Sequence, residues 1–342
     1  MKVKKAYLFI IIISALFILD NYRTNSITAS VKEKINSRIS KTSETKKDDN
    51  RQDKKSIQSE SYSYPKFYRG IYLNIVSARN FKKLVRFVEE SKRSHVNAFV
   101  LDTQSSRYKK CIVPQKNVKY LLDNKIHPIA RIVVFPNGLK RYPISEKIIL
   151  DKLKIAESAC KAGFKEIQFD YIRFNDSRAL RYLSVAKRYK FIEGFLLKAR
   201  KYLKAYNVKI AADVFGRVPL NRRDIIGQRM EGLDKVVDII CPMAYPSHYT
   251  WSRKLQHNPY YTVKWTSSRA NKRTKKAEIV TYIQAFKMKI PRTMSFNKYI
   301  QEQIKAIHDS GIRGYLMWNA RQRYEVPMKA MRDYYSKKKT QI

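Results

Sequence analysis

"EIQFDYIRF", residues 166–174, reads for most of its length as a buried strand: Ile167, Phe169, Tyr171, Ile172 and Phe174 are β-formers in an almost unbroken run. Asp170 and Arg173 sit inside it. An unpaired ion in a core costs several kcal/mol, so their presence needs a reason. Asp170 is either half of a structural ion pair or the working group of a site.

Strand-like and helix-like stretches alternate outward from this segment. Strands are expected at residues 68–76, 98–102, 128–135, 166–174, 209–215, 237–245, 279–286 and 314–319. Between them lie helical patterns, among them one capped by Ser145 and stopped by Gly163, and one around 224–233. Eight β–α units in this length predict an α/β fold, a (β/α)8 TIM barrel over residues 65–336. Its strands would be covered by helices, which explains their near-continuous apolar runs. A doubly wound open sheet is the rival, weakened because no glycine-rich phosphate loop follows the first strand.

The chain before residue 65 has a different character. Lys2, Lys4 and Lys5 precede an apolar run from Ala6 to Leu19, short for a membrane span and suited to a signal peptide. No small-residue cleavage site follows at once, so residues 1–19 read as a signal-anchor, with a cleaved and secreted form as the alternative. The expected location is outside the cytoplasm, anchored in the inner membrane and facing the periplasm or the exterior. Residues 20–64 are rich in Lys and Ser and poor in aromatic residues, the composition of a disordered linker.

Lys and Arg total 72 against 28 Asp and Glu, a net charge of +44. That excess suits an anionic neighbour such as nucleic acid, acidic lipid or acidic glycan, or reflects a general compositional bias. The lysines are spread along the chain without a nucleic-acid-binding motif, and no nucleic acid partner is expected. Cys111, Cys160 and Cys241 fit no metal or disulfide pattern and read as small buried hydrophobes. No metal and no cofactor is expected, and the sequence assigns no oligomeric state.

In a barrel of this kind the active site lies at the C-terminal strand ends. Those ends carry Asp102, Arg131, Asp170, Arg173, Asp213, Tyr245, His248, Gln284, Trp318 and Asn319. Asp238 instead begins its strand and belongs to the stability face. Paired carboxylates on one rim suit acid/base or nucleophile/acid chemistry, and glycoside hydrolysis uses such a pair. Tyr171, Tyr245 and Trp318 could stack on sugar rings. Structural readings stand beside these: Asp170 as the partner of Arg173 or Arg131, Asp213 and Asp102 as loop caps, Tyr245 and Trp318 as core.

The blocks "GFKEIQFDYIRF", "ADVFG", "IGQ", "VDIICPMAYPSHY", "ARIVVF" and "YLMWNA" resemble a bacterial family of glycoside hydrolases with a barrel fold, over nearly all of residues 68–324. The resemblance implies a polysaccharide substrate, at the cell envelope. Its characteristic positions fall on Arg131, Gln168, Asp170, Tyr171, Arg173, Asp213, Gly227 and Gln228. They continue on Pro242, Met243, Tyr245 to Tyr249, Gln284 and Trp318. The expected catalytic set is Asp170 as the ionised group, Asp213 as its acid partner and Asp102 in reserve. Arg131 and Arg173 are expected to hold Asp170 charged. Arg131 and Arg173 are also expected to bind substrate, together with Gln168, Tyr171, Tyr245, His248, Gln284, Trp318 and Asn319. Two departures from the family pattern, Gln104 in "LDTQSS" and Ala285 in "IQAF", leave a second reading open: a glycan-binding or envelope scaffold protein without catalysis.

Overall fold

The computed structural model describes residues 62–104, 109–177 and 180–339. The expected signal-anchor and all but the end of the expected linker lie outside them. Among the described residues no helix is long and apolar enough to cross a membrane.

Eight parallel strands close into a barrel in sequence order. They are β1 (Tyr68–Leu73), β2 (Ala98–Asp102), β3 (His127–Val133), β4 (Glu166–Asp170), β5 (Lys209–Phe215), β6 (Ile239–Met243), β7 (Glu278–Gln284) and β8 (Gly314–Trp318). Helices separate them, including Phe81–Arg93, Glu146–Lys161, Val185–Tyr202, Pro259–Lys272 and Phe296–His308. Ser145 caps the second of these by accepting from the Lys147 amide, and Gly163 follows it at φ +101°.

Side chains alternate across the barrel wall, and this explains the opening stretch. In β4, Ile167 and Phe169 face outward into the apolar layer beneath the helices. Glu166, Gln168 and Asp170 face inward, where each finds a partner. Tyr68 donates its hydroxyl to Glu166 Oε2 at 3.0 Å, and Tyr282 donates to Gln168 Oε1 at 2.7 Å. Asp170 meets Arg131. The charged and polar residues of "EIQFD" therefore line a polar column inside the cylinder, while its apolar residues bind the helices. Asp238, at the opposite end of the strands, bonds the Ile210 amide and Arg200, as expected of a residue on the stability face.

The structure corrects several boundaries. β1 ends at Leu73 rather than at residue 76, because Asn74 accepts the Ser77 amide and caps a short helix, Ile75–Arg79. β4 ends at Asp170, because the Tyr171 amide donates to the Asp170 carboxylate at 2.6 Å and Tyr171 turns into the left-handed region at φ +55°. Ile172, Arg173 and Phe174 thus belong to a loop. The helix expected around 224–233 is reduced to Met230–Leu233. Residues 224–228 form an ordered loop instead: Gly227 adopts φ +82°, Phe174 donates its amide to Ile226, and Arg188 donates to the Ile225 carbonyl.

Phe169 is fully buried and meets Phe195 edge to face at 5.3 Å. Replacing Phe169 with Ala is expected to cost about 3–5 kcal/mol in denaturant unfolding. A loss below about 1 kcal/mol would contradict its place in the outer layer.

Candidate active site

The strand register delivers the site. Asp102 of β2 pairs with Arg131 of β3, and Phe169 of β4 pairs with Ala212 of β5. The next rung sets Asp170 beside Asp213 on neighbouring strands, which run about 4.8 Å apart. Both aspartates line a cavity of about 350 Å³ at the C-terminal mouth of the barrel. Pockets for small ligands range over roughly 300–1,000 Å³.

Arg131 organises the floor. Its Nε and Nη2 donate to Asp170 Oδ2 at 2.9 and 2.6 Å, and its Nη1 donates to Asp102 Oδ1 at 2.5 Å. Tyr72 donates its hydroxyl to Asp102 Oδ2 at 2.6 Å. The Arg131 guanidinium lies 4.9 Å from the Trp318 ring centre and 5.6 Å from that of Tyr72, whose rings stack at 4.0 Å. Burial disfavours the cation, but the Asp170 and Asp102 charges outweigh it and raise the Arg131 pKa well above its ordinary value.

Asp213 has the opposite surroundings. It is 1% exposed, and its Oδ1 is buried without a hydrogen-bond partner. Burial, and then the nearby Asp170 charge, pushes its carboxyl well above the usual range, so the protonated form is favoured. Its backbone is held firmly: Gln228 donates to the Asp213 carbonyl at 3.1 Å and accepts the Phe215 amide at 3.1 Å. Gly216 follows, where a Cβ would lie 2.3 Å from the Tyr249 hydroxyl and 2.4 Å from the Met243 carbonyl. Two aspartates on neighbouring strands thus differ sharply, one held by three donors and one with a buried, unpartnered oxygen.

The other expected residues divide between cavity and framework. Tyr171, Arg173, Tyr245, His248 and Trp318 line the cavity with the two aspartates and Arg131. Tyr245 is buried, and its hydroxyl pKa is raised by that burial and then by the Asp213 and Asp170 charges. Partial burial lowers the His248 imidazole, whose ring meets Tyr245 edge to face at 5.3 Å. Gln168, Gln284 and Asn319 do not line it. Gln168 lies inside the barrel between Tyr282 and Cys241. Gln284 accepts the Ser247 amide and donates to the Phe286 and Met288 carbonyls, shaping the loops after β6 and β7. Asn319 ties the Ala285 and Arg323 carbonyls together. Arg173 does not pair with Asp170: it reaches Asp176 at 3.0 Å, because its loop position turns it towards the mouth. Among the described residues Arg131 alone pairs with Asp170.

Phe215, Arg217, Trp251 and Tyr282 also line the cavity and were not singled out in the sequence. Phe215 was legible, since it lies two residues beyond Asp213 on one strand and shares its inward face. Trp251, 59% exposed, comes from the irregular loop after β6, where periodicity gives no signal. Among the described residues no group of three or more His, Cys, Asp or Glu is placed to hold a metal ion.

Residues 141–324 match the model of a family described as "Putative glycosyl hydrolase domain". A comparison with curated proteins returns no match. Among solved structures, the chain is similar to the PgaB (BpsB) glycoside hydrolase domain from Bordetella bronchiseptica. That match has 11% identity and a TM-score of 0.60, and covers 78% of this chain and 98% of that one. It is similar to the spore cortex-lytic enzyme SleL of Bacillus cereus, with 14% identity, a TM-score of 0.55, and 79% and 74% of the two chains covered. It is also similar to the endo-beta-1,4-mannanase of Thermotoga petrophila, with 11% identity, a TM-score of 0.54, and 80% and 76% covered. At these identities the likeness shows a shared fold.

Replacing Arg131 with Met would leave Asp170 and Asp102 without their shared cation, and a loss of about 3–5 kcal/mol is expected in equilibrium unfolding. A second prediction concerns pH. An unfolded Asp titrates near about 3.9. Above that pH, and below the raised folded value, the native state keeps a proton that the unfolded state has released, so Asp213 lowers stability as pH rises. Asp213→Asn should therefore gain stability over the parent as pH rises from about 4, with no such gain below it. Parallel stability–pH curves for the two proteins would contradict the assignment.

Proposed function

The chain belongs to the glycosyl hydrolase family matched over residues 141–324, and from that premise we propose that it hydrolyses a polysaccharide with Asp170 and Asp213 as its paired carboxyl groups. One observation carries the reading: two aspartates side by side on adjacent strands face one aromatic-lined cavity, in electrostatic surroundings that favour different protonation states. Protonated Asp213 delivers a proton to the glycosidic oxygen as the bond to the leaving sugar breaks. Asp170, ion-paired to Arg131, faces the oxocarbenium-like centre as nucleophile or as base for water. Asp102, bonded to Arg131 and Tyr72, supports that arrangement through the guanidinium. Trp318, Tyr245, Tyr171 and Phe215 supply apolar faces for sugar rings.

The two departures from the family pattern remove no group from this cavity. Ala285 is fully buried and belongs to the outer apolar layer. Gln104 donates to the Val133 carbonyl and is not among the lining residues. These observations favour catalysis over a purely glycan-binding role.

We place the substrate at the cell envelope. The support is the sequence pattern of residues 1–64, a basic tail, an apolar run and a polar linker, which suits a barrel exported on a membrane tether. A spore cortex-lytic enzyme is among the proteins of similar fold.

Release of reducing ends from a panel of cell-wall and extracellular glycans tests the proposal. Asp213→Asn should lower kcat by about 10²–10⁴-fold and abolish the alkaline limb of the pH–rate profile. Equal turnover by parent and variant would remove Asp213 from the chemistry. Binding of glycan by the parent without any reducing-end release would favour the glycan-binding role.

A further inference from the structure

The wall of the cavity formed by the loops after β4 and β5 presents donors without acceptors. Arg173 and Arg217 both line the cavity there. Their guanidinium groups lie 4.6 and 5.1 Å from the centre of the Phe215 ring. They share Asp176, with Arg173 Nη1 at 3.0 Å from Oδ1 and Arg217 Nη2 at 3.0 Å from Oδ2. Asp224 takes Arg217 Nε at 2.8 Å and Nη2 at 3.2 Å. Arg173 Nη1 also donates to the Phe174 carbonyl.

A guanidinium offers five N–H donors in a rigid fork. Among the described residues, these bonds leave Arg173 Nη2 and Arg217 Nη1 unused, and Arg173 Nε is buried with no acceptor at all. The Arg173 side chain is only 12% exposed, so water competes poorly for it. Two aspartates balance the two arginines, and the signal is therefore the unmet donors rather than net charge. A buried donor without an acceptor is costly, and native proteins rarely keep one without a use. A sugar hydroxyl could accept one such bond. A carboxylate matches the fork with two oxygens and forms charge-assisted bonds about twice as strong.

Position narrows the inference. Arg173 lies three residues beyond Asp170 and Arg217 four beyond Asp213, so the donors flank the proposed reacting pair from the loops that follow the same two strands. Resting on the hydrolase reading above, we infer that the substrate is a carboxylate-bearing glycan, and that Arg173 and Arg217 receive the carboxylate of a sugar bound beside the scissile bond. The +44 charge of the chain favours polyanions in general, but only the fork makes the recognition local.

The test uses the full chain with two carboxylated glycans, peptidoglycan glycan strands and polygalacturonate. Each is compared with its own neutral derivative, amidated strands and methyl-esterified polymer, and a neutral chitin-type glycan is included. Reducing-end release gives kcat and KM, and affinity electrophoresis of Asp213→Asn gives binding without turnover. At least one carboxylated glycan should bind at least about tenfold more tightly than its neutral derivative, in KM more than in kcat. The double variant Arg173→Lys with Arg217→Lys keeps the chain's charge and a counterion for buried Asp224, and should lose most of that preference. Cleavage of neutral and carboxylated forms alike would overturn the inference and leave the hydrolase reading standing. A preference fully retained in the double-lysine variant would overturn it in favour of general attraction to a basic chain. If no glycan of the panel is bound or cleaved, both readings fall.

Discussion

The structure depends on where the Arg131 guanidinium can be tolerated. A buried cation is expensive, and without its two anions the guanidinium would be an uncompensated charge in the core. From β3 it reaches Asp102 on β2 and Asp170 on β4, so three consecutive strands are fixed at the mouth of the barrel by one side chain. The stacked rings of Tyr72 and Trp318 cover it, and the Tyr72 hydroxyl caps Asp102. The polar network is thereby covered on one side, while Arg131 and Asp170 line the cavity. The same bonds that make the ion pair a structural necessity also fix the orientation of the Asp170 carboxylate, so the structural reading of this residue is compatible with the catalytic role proposed for it.

Asp213 gains its character from what that network does not reach. One strand away, it receives burial from the barrel and then Coulombic repulsion from Asp170, and its Oδ1 has no donor. Gln228 secures its carbonyl but not its carboxyl. Such a pair, one carboxyl ion-paired and one biased towards the acid, is what proton donation and charge stabilisation within one cavity require. The electrostatic asymmetry is built from backbone register, since adjacent parallel strands place equivalent positions side by side.

The eight strands were legible because burial on both faces leaves long β-forming runs, and the polar residues that interrupt them mark the inward positions. Period-two alternation in "EIQFD" already separates Ile167 and Phe169 from Glu166, Gln168 and Asp170. The loops at the C-terminal ends of the strands were less legible. A left-handed Tyr171 cannot be inferred from a β-forming run, and with it the placement of Arg173 changed from partner of Asp170 to part of the cavity wall. A helix was expected where Asp224 to Gln228 instead spends its backbone on Phe174 and Arg188, contacts distant in sequence. Gln168, Gln284 and Asn319 illustrate a further limit: a polar residue near a strand end reads alike whether it meets substrate or belongs to the framework, and only their hydrogen-bond partners assign them to the framework.

Two neighbouring aspartates in different protonation states, at the mouth of one barrel, are central to the proposed chemistry. Isotope-edited infrared spectroscopy of the folded protein, with labelled aspartate, reads those states directly. At neutral pH a protonated-carboxyl band is predicted that disappears in Asp213→Asn and survives in Asp102→Asn. A neutral-pH spectrum in which every aspartate carboxyl is ionised, unchanged by Asp213→Asn apart from the loss of one carboxylate, would contradict it.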